Sequence, residues 1–230
     1  MRPLVIVPTY NERENVQRFV PQLLEIPDLR VLVVDDASLD GTGFAAEVIA
    51  ARSGGRVTVM HRVGCTRGRG HVYLDGIHRA LATDADVICH MDADPSHQPA
   101  DLAALLNAAR HSDLVIGSRH VPGSRIANWP FRSRLWSAAV NTCIRTFRSI
   151  TVRDCTSGFR GWRRDALALL PLDRIDPERD VLVQLLSEAL ALGCTVSEVP
   201  ITFAPRLIRP ISAAASAPVA HHPAADSGPR

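Results

Sequence analysis

Two carboxylates one residue apart, Asp92 and Asp94, follow an apolar run of Val87, Ile88, Cys89 and Met91 that only His90 interrupts. At a strand end, such a pair suits a hard divalent cation that keeps some water and takes its other oxygens from substrate phosphates. A cation bridging a diphosphate neutralises charge as that group departs. A second acidic pair, Asp35-Asp36, ends another apolar run. It reads either as a solvated turn capping the next helix or as a carboxylate offered to a nucleobase N–H or a ribose hydroxyl. Gly117-Ser118-Arg119 brings a cation to the end of a third run.

The cations are all of one kind. Every one of the 26 basic residues is arginine. A lysine Schiff base, a lysine general base and a Walker lysine are therefore excluded. Anions must be met by guanidinium groups, which are permanently charged and fork-shaped. Against 24 acidic residues the net charge is only +2, which argues against a basic coat for nucleic acid. Five scattered cysteines form no C-x-x-C pair, which favours a reducing compartment over disulfides or a zinc site. The stretch Arg62-Val-Gly-Cys-Thr-Arg67-Gly-Arg69-Gly70 is glycine-rich, basic and leads into a helix, where backbone N–H groups can hold phosphate. It departs from G-x-G-x-x-G, because Tyr73 stands where the third glycine belongs, and it reads as an anion-binding or mobile loop.

The elements that must position these groups alternate along the chain. Residues 4–7, 30–34, 56–61, 87–91 and 113–116 read as buried strands. Helical patterns fall between them at 12–25, 42–52, 70–82 and 99–110. Asn11 with Glu14 predicts a capping box for the first helix, and Pro99 suits the first turn of the fourth. This alternation predicts an α/β sandwich with a mostly parallel sheet, whose ligands lie beyond the carboxyl ends of the strands. Further on come Asp154-Cys-Thr-Ser-Gly-Phe-Arg160, two helices and a strand over 195–201. Residues 129–150 mix Trp129, Phe131 and Trp136 with arginines, as in a helix at an anionic lipid surface or one packed on the core. No signal peptide or 18-residue apolar span is evident, so a soluble cytoplasmic domain is expected. Residues 207–230 hold seven alanines and four prolines without apolar periodicity, predicting a disordered tail after a catalytic domain of residues 1–206. His221 and His222 lie in that tail and read as incidental.

Several strings together resemble a known family. Val5-Ile-Val-Pro-Thr-Tyr-Asn-Glu12 and Val33-Val-Asp-Asp-Ala-Ser-Leu-Asp-Gly-Thr42 look like glycosyltransferase family 2. Met91-Asp-Ala-Asp-Pro-Ser-His-Gln-Pro99, Ile116-Gly-Ser-Arg-His-Val-Pro-Gly123, Asp154–Arg160 and Glu198-Val-Pro-Ile201 sharpen the resemblance to its polyprenol (dolichol) phosphate mannosyltransferase branch. The resemblance covers about residues 3–206. It implies a GT-A nucleotide-diphospho-sugar transferase fold, a GDP-mannose donor, Mg²⁺ or Mn²⁺, and a polyprenyl phosphate acceptor, with inversion at the anomeric centre. Carried over motif by motif, Pro8, Tyr10 and Glu12 line the nucleotide pocket, with Val34 and Asp36 at the base and ribose. Asp92, Asp94 and Ser96 hold the metal and Ala93 contributes backbone. Arg119 and Arg206 meet donor or acceptor phosphate, so that Asp94 and Arg119 carry the chemistry.

The acceptor's chemistry fits without a dedicated base. A phosphate monoester has its second pKa near ~6 and arrives largely ionised at neutral pH, so no side chain need strip a proton. Arg119, Arg132, Arg134, Arg160 and Arg206 are candidates to grip it, although Arg132 and Arg134 read better as a solvated helix face. An isoprenoid acceptor must stay in lipid, which predicts a peripheral protein at the inner face of the membrane. Three departures from the family stand out: Gln184 replaces an acid expected on a helix facing the site, the Gly/Ser/Lys stretch after Arg206 is missing, and the loop after the third strand reads Arg-Gly-Arg-Gly. Arg209 or a membrane-protein partner chain are the sources left for the lost cation. Alternatives are a related transferase using another nucleotide-sugar and an impaired nucleotide-binding remnant. A phosphatase of the haloacid dehalogenase type shares D-x-D-x-[ST] at Asp92, Asp94 and Ser96, but that motif normally follows the first strand and needs a downstream lysine.

Overall fold

The apolar runs form strands β1 (Pro3–Thr9), β2 (Arg30–Asp35), β3 (Val57–His61), β4 (Val87–His90) and β5 (Leu114–Ser118). These come from a computed structural model that describes residues 1–94, 96–127, 139, 141, 142, 146 and 152–204. Residues 129–138, the tail 207–230 and Arg206 lie outside the described residues, as do Arg132, Arg134 and Arg209. The later strands are β6 (Arg125–Ile126), β7 (Arg160–Arg163), β8 (Val196–Pro200) and β9 (Thr202–Phe203). Helices α1 (Arg13–Leu23), α2 (Thr42–Arg52), α3 (Arg69–Leu81) and α4 (Pro99–Ala108) fill the expected gaps. They are followed by α5 (Arg164–Ala168) and α6 (Val181–Ala191).

Seven strands make one sheet in the order β3-β2-β1-β4-β7-β5-β8. All neighbours are parallel except β7, which runs antiparallel to both β4 and β5. The sheet is therefore mostly parallel, as expected. Successive side chains alternate between its faces. Leu4, Ile6, Leu32, Val34 and Ile88 join the core beneath α3 and α6. Val5, Val7, Val31, Val33 and Cys89 join the opposite core with Val16, Val20 and Leu102 from α1 and α4. Burial on both faces is why these strands read as continuous apolar runs rather than as alternating ones.

The inserted antiparallel strand decides what the site contains. Because β7 runs backwards between β4 and β5, its amino end lies at the same sheet edge as their carboxyl ends. The segment Asp154–Phe159 is thereby delivered next to Asp92 and Arg119. A pattern of short apolar runs did not reveal β7, whose Arg160-Gly161-Trp162-Arg163 has no apolar periodicity.

The start of α1 corrects one expectation. Its N-cap is Glu12, without a side-chain cap of its own, so Asn11 and Glu14 form no capping box. The cap comes from the next loop instead: Thr42 Oγ1 accepts from Glu12 N at 2.8 Å and Asp40 Oδ2 from Arg13 N at 3.1 Å. Asn11, at φ +54°, accepts from Leu39 N at 2.9 Å, and its own N–H donates to Ser38 Oγ at 2.9 Å. The loops after β1 and β2 are thus tied together, and Asp40 Oδ1 also accepts from Thr42 N at 3.0 Å at the start of α2. Pro99 opens the first turn of α4 as expected.

Candidate active site

A pocket of about 360 Å³ opens at the carboxyl edge of β1, β2 and β4. Pro8, Thr9, Tyr10, Glu12, Asp36, Arg69, Val72, Asp92, Ala93 and Asp94 line it. Seven of the residues singled out by sequence are among these. Three others are not: Val34 is fully buried in the core, Ser96 is buried beside the pocket and Arg119 lines a different one.

The wall containing the two carboxylates is held by local and distant contacts. Asp94 Oδ1 accepts from Ser96 N at 2.9 Å and from the Ser96 hydroxyl. Ser96 thus props Asp94. Its carbonyl in turn accepts from Ala204 N at 3.3 Å, which brings the chain after β9 back onto this turn. Asp92 N donates to His97 Nδ1 at 3.3 Å. His97 is buried and stacks on Phe159, 5.2 Å between centroids, and burial lowers its pKa. It serves as a neutral prop for the turn and does not line the pocket. Asp92 also receives Arg69 Nη2 at 3.2 Å and the Tyr73 hydroxyl at 3.5 Å.

Tyr73, the residue that breaks the dinucleotide pattern, is buried and stacked on His90 at 5.1 Å. A glycine there would remove both contacts. Gly158 faces this corner from the other side. A Cβ on it would lie 2.9 Å from the Tyr73 hydroxyl, 3.2 Å from Arg69 Nη2 and 3.4 Å from Asp92 Oδ2. The missing side chain therefore keeps the space around Asp92 open.

The basic loop is organised by a buried pair. Arg62, 1% exposed, bonds Asp36 Oδ1 through Nη1, Asp75 Oδ2 through Nε at 2.7 Å and the Thr66 carbonyl through Nη2 at 2.9 Å. Asp36 lines the pocket, but part of its hydrogen-bonding capacity is already used to hold this loop. Arg67 reaches back to the Ala37 carbonyl at 2.7 Å and lies over the Tyr10 ring at 5.2 Å. Gly70 permits the docking of α3, since a Cβ there would lie 2.1 Å from the Pro177 carbonyl oxygen.

Arg119 lies in a neighbouring pocket of about 530 Å³, lined also by His120, Val121, Pro122, Ser124, Ile126 and Arg153. Its guanidinium grips Asp154 and donates to Thr156 Oγ1 at 2.9 Å. It also lies 5.2 Å from the Phe203 ring centroid, and Phe203 stands 6.2 Å from the His97 ring. Arg119 and the Asp92 turn are therefore linked through two rings. Arg160 is not available to an acceptor: it is fully buried and donates to the carbonyls of Ser157, Leu182 and Cys155. Burial lowers its pKa to about 10. Gln184 does not line the site. Its amide spans the backbone of Asp176, accepting from N at 3.0 Å and donating to O at 2.8 Å.

Sequence reasoning missed Arg69 as a pocket residue, although the basic glycine-rich loop that carries it was the available signal. It also missed Asp154 as the partner of Arg119, which no spacing rule connects across 35 residues. Asp92 and Asp94 bring hard oxygen donors to one wall. Among the described residues no group of three or more His, Cys, Asp or Glu side chains is placed to hold a metal ion.

Comparison with known proteins gives this arrangement its context. The chain is 42% identical over 208 residues to polyprenol monophosphomannose synthase of Mycolicibacterium smegmatis, covering 89% of this chain and 78% of that protein. It is also 42% identical to undecaprenyl-phosphate mannosyltransferase of Micrococcus luteus, covering 90% and 85%. Dolichol-phosphate mannosyltransferase of Pyrococcus furiosus is 33% identical, covering 88% of this chain and 56% of that one. Among solved structures, glucosyl-3-phosphoglycerate synthase from Mycobacterium tuberculosis, in complex with Mn²⁺, UDP and glucosyl-3-phosphoglycerate, superposes with a TM-score of 0.62. It is 21% identical and covers 87% of this chain and 70% of that one. That likeness is one of fold, and the fold is the expected GT-A arrangement. The model of the family described as Glycosyl transferase family 2 matches residues 4–170. With most of the chain inside that match, and its acidic motif on the wall of the pocket, this protein belongs to glycosyl transferase family 2.

Proposed function

We propose that this protein transfers mannose from GDP-mannose to a polyprenyl phosphate, with inversion at the anomeric carbon, at the cytoplasmic face of a membrane. The observation that carries the reading is one pocket in which Asp92 and Asp94 share walls with Pro8, Tyr10, Glu12 and Asp36. It occurs in a chain 42% identical to two bacterial proteins named for polyprenyl phosphate mannosylation.

In this reading Asp92 and Asp94 hold Mg²⁺ or Mn²⁺. Two carboxylates on one wall of the pocket suit a small hard cation that completes its shell with water and phosphate oxygens. When bound, the ion neutralises the diphosphate as it leaves the sugar. Ser96 acts through Asp94, fixing its rotamer, rather than from the pocket itself. Pro8, Tyr10, Glu12 and Asp36 shape the nucleotide end, and Val34 contributes to it only from the core beneath. Arg119, held rigid by Asp154, presents positive charge to the acceptor's phosphate beside His120 and Arg153. Arg206 is assigned to the phosphates by its motif alone.

No general base is required, because the acceptor phosphate is ionised before it binds. His97, the nearest imidazole to Asp92, is already committed to a backbone N–H and buried, in keeping with a reaction that asks no proton transfer of it. Among the described residues no helix is long and apolar enough to cross a membrane. Contact with the acceptor's lipid is assigned to residues 129–150 by their mixture of Trp129, Phe131 and Trp136 with arginines.

The test is a donor panel. The protein is incubated with Mg²⁺, a polyprenyl phosphate and GDP-mannose, UDP-glucose or UDP-N-acetylglucosamine in parallel. Mannosyl transfer from GDP-mannose alone supports the reading. Transfer from a UDP-sugar instead, or tight nucleotide binding without any transfer, overturns it.

A further inference from the structure

Among the described residues lining the 360 Å³ pocket, one is a cation, Arg69, and it lies against a carboxylate assigned to the metal. It opens α3 directly after Gly68, whose φ of +138° sets the turn. Its Nη2 lies 3.2 Å from Asp92 Oδ2 and 3.3 Å from Oδ1, so one arm of the fork covers both oxygens. The guanidinium also lies 5.6 Å from the Tyr73 ring centroid. Three other arginines of the region are fixed differently. Arg62, Arg119 and Arg160 each bond at least two acceptors and are nearly or wholly buried. The Arg69 side chain is 66% exposed, and its ion pair among the described residues is to Asp92.

A partly exposed pair of this kind contributes little and exchanges readily. A divalent ion on Asp92 and a guanidinium covering both of its oxygens compete for the same lone pairs. Accepting the donor-site reading given above, we propose that Arg69 is a stand-in cation. It neutralises Asp92 while the donor is absent, yields that carboxylate to the divalent ion, and then bonds the donor's diphosphate. A guanidinium fork matches phosphate oxygens bidentately, and Arg69 lines the pocket at the first position of α3. Gly158 leaves the room this movement needs, since a Cβ there would lie 3.2 Å from Arg69 Nη2. In a chain without lysine, this arginine supplies the mobile positive charge at the donor's diphosphate.

Mn²⁺ binding to the full chain, followed by the electron paramagnetic resonance signal of the free ion, tests the exchange without relying on activity. Without nucleotide, Arg69→Met is expected to bind Mn²⁺ about three- to fivefold tighter than the wild type, the size appropriate to losing an exposed pair. Arg69→Lys, which keeps the charge, is expected to stay close to the wild type. With saturating Mn²⁺, Arg69→Met is expected to bind GDP several-fold more weakly. Equal Mn²⁺ and GDP affinities in the wild type and Arg69→Met, with Mn²⁺ binding lost in Asp94→Asn, would overturn the stand-in role and leave the site reading intact. Mn²⁺ binding that is unchanged in Asp94→Asn, or absent from every variant, would overturn both.

Discussion

The guanidinium of Arg119 holds the carboxylate of Asp154 by both arms, Nε to Oδ2 at 2.8 Å and Nη2 to Oδ1 at 2.7 Å, and its backbone N–H adds a third bond at 3.0 Å. Asp154 is fully buried. Its backbone N–H donates to Glu198 Oε1 at 3.0 Å, so β5, β8 and the segment before β7 meet at this pair. A residue read from its motif as a phosphate ligand is thus also a structural cation.

Removing one partner of such a pair strands the other's charge. Asp154→Ala is therefore expected to cost about 3–5 kcal/mol, read as a lower urea midpoint. The pair also sets an acid limit. Burial alone would raise the Asp154 pKa, but the bonds and charge of Arg119 outweigh it and the net shift is downward. A carboxylate depressed in the folded state contributes stability above its unfolded pKa of about 3.9 and loses it as pH falls below that. Urea titrations between pH 5 and 3 should show this loss in the wild type, and a reduced one in Asp154→Ala.

His90 predicts a second pH dependence. Among the described residues neither ring nitrogen has a hydrogen-bond partner, and burial lowers its pKa to about 3, with the Arg160 charge adding to the effect. The unfolded chain takes up this proton near pH 6.5 and the folded one does not. Stability is therefore complete above about 6.5 and falls by up to about 1.4 kcal/mol per unit below it. His90→Phe should flatten the slope of stability between pH 6.5 and 5. A variant with the wild-type slope would refute the assignment.

Gly158→Ala tests the space around Asp92. The atoms its Cβ would crowd are the ends of the Tyr73 and Arg69 side chains, the two groups that bond Asp92. These can move, so the urea midpoint should change little. Shifting the two groups that position Asp92 should still lower transfer by about 10- to 100-fold.

Gln184→Glu separates the site from its surroundings. A glutamate keeps an acceptor but loses the N–H that bonds the Asp176 carbonyl at 2.8 Å. The expected cost is about 1 kcal/mol of stability, with the KM for the donor unchanged. An altered donor KM would place residue 184 in the site after all.

The carboxyl-edge logic of the site was legible because each motif sits directly after an apolar run. Asp36, Asp92 and Asp94 reach one pocket for that reason. Contacts that depend on β7 were not legible. The strand is short, carries two arginines and a glycine, and runs against its neighbours, so no periodicity announces it. Without it, Asp154 has no predictable partner and Gly158 no predictable neighbour. The capping box at Asn11 failed for a related reason. Local spacing pointed to Glu14, but side chains from the loop after β2 and the start of α2 bond the N–H groups of Asn11, Glu12 and Arg13 instead. Arg160 showed the limit of charge as a guide: an arginine in a functional motif proved to be bonded to three backbone carbonyls in the core.

The central claim is that Asp94 supports mannosyl transfer to a lipid phosphate, and one assay addresses it directly. Label from GDP-[¹⁴C]mannose is followed into extractable lipid with polyprenyl phosphate and Mg²⁺, for the wild type and Asp94→Ala, with chelator as control. The account predicts labelled polyprenyl phosphomannose from the wild type, abolished by chelator and reduced at least about 100-fold in Asp94→Ala, in line with losing a positioned charge-stabilising group. Lipid label that survives in Asp94→Ala, or none from the folded wild type, would contradict it.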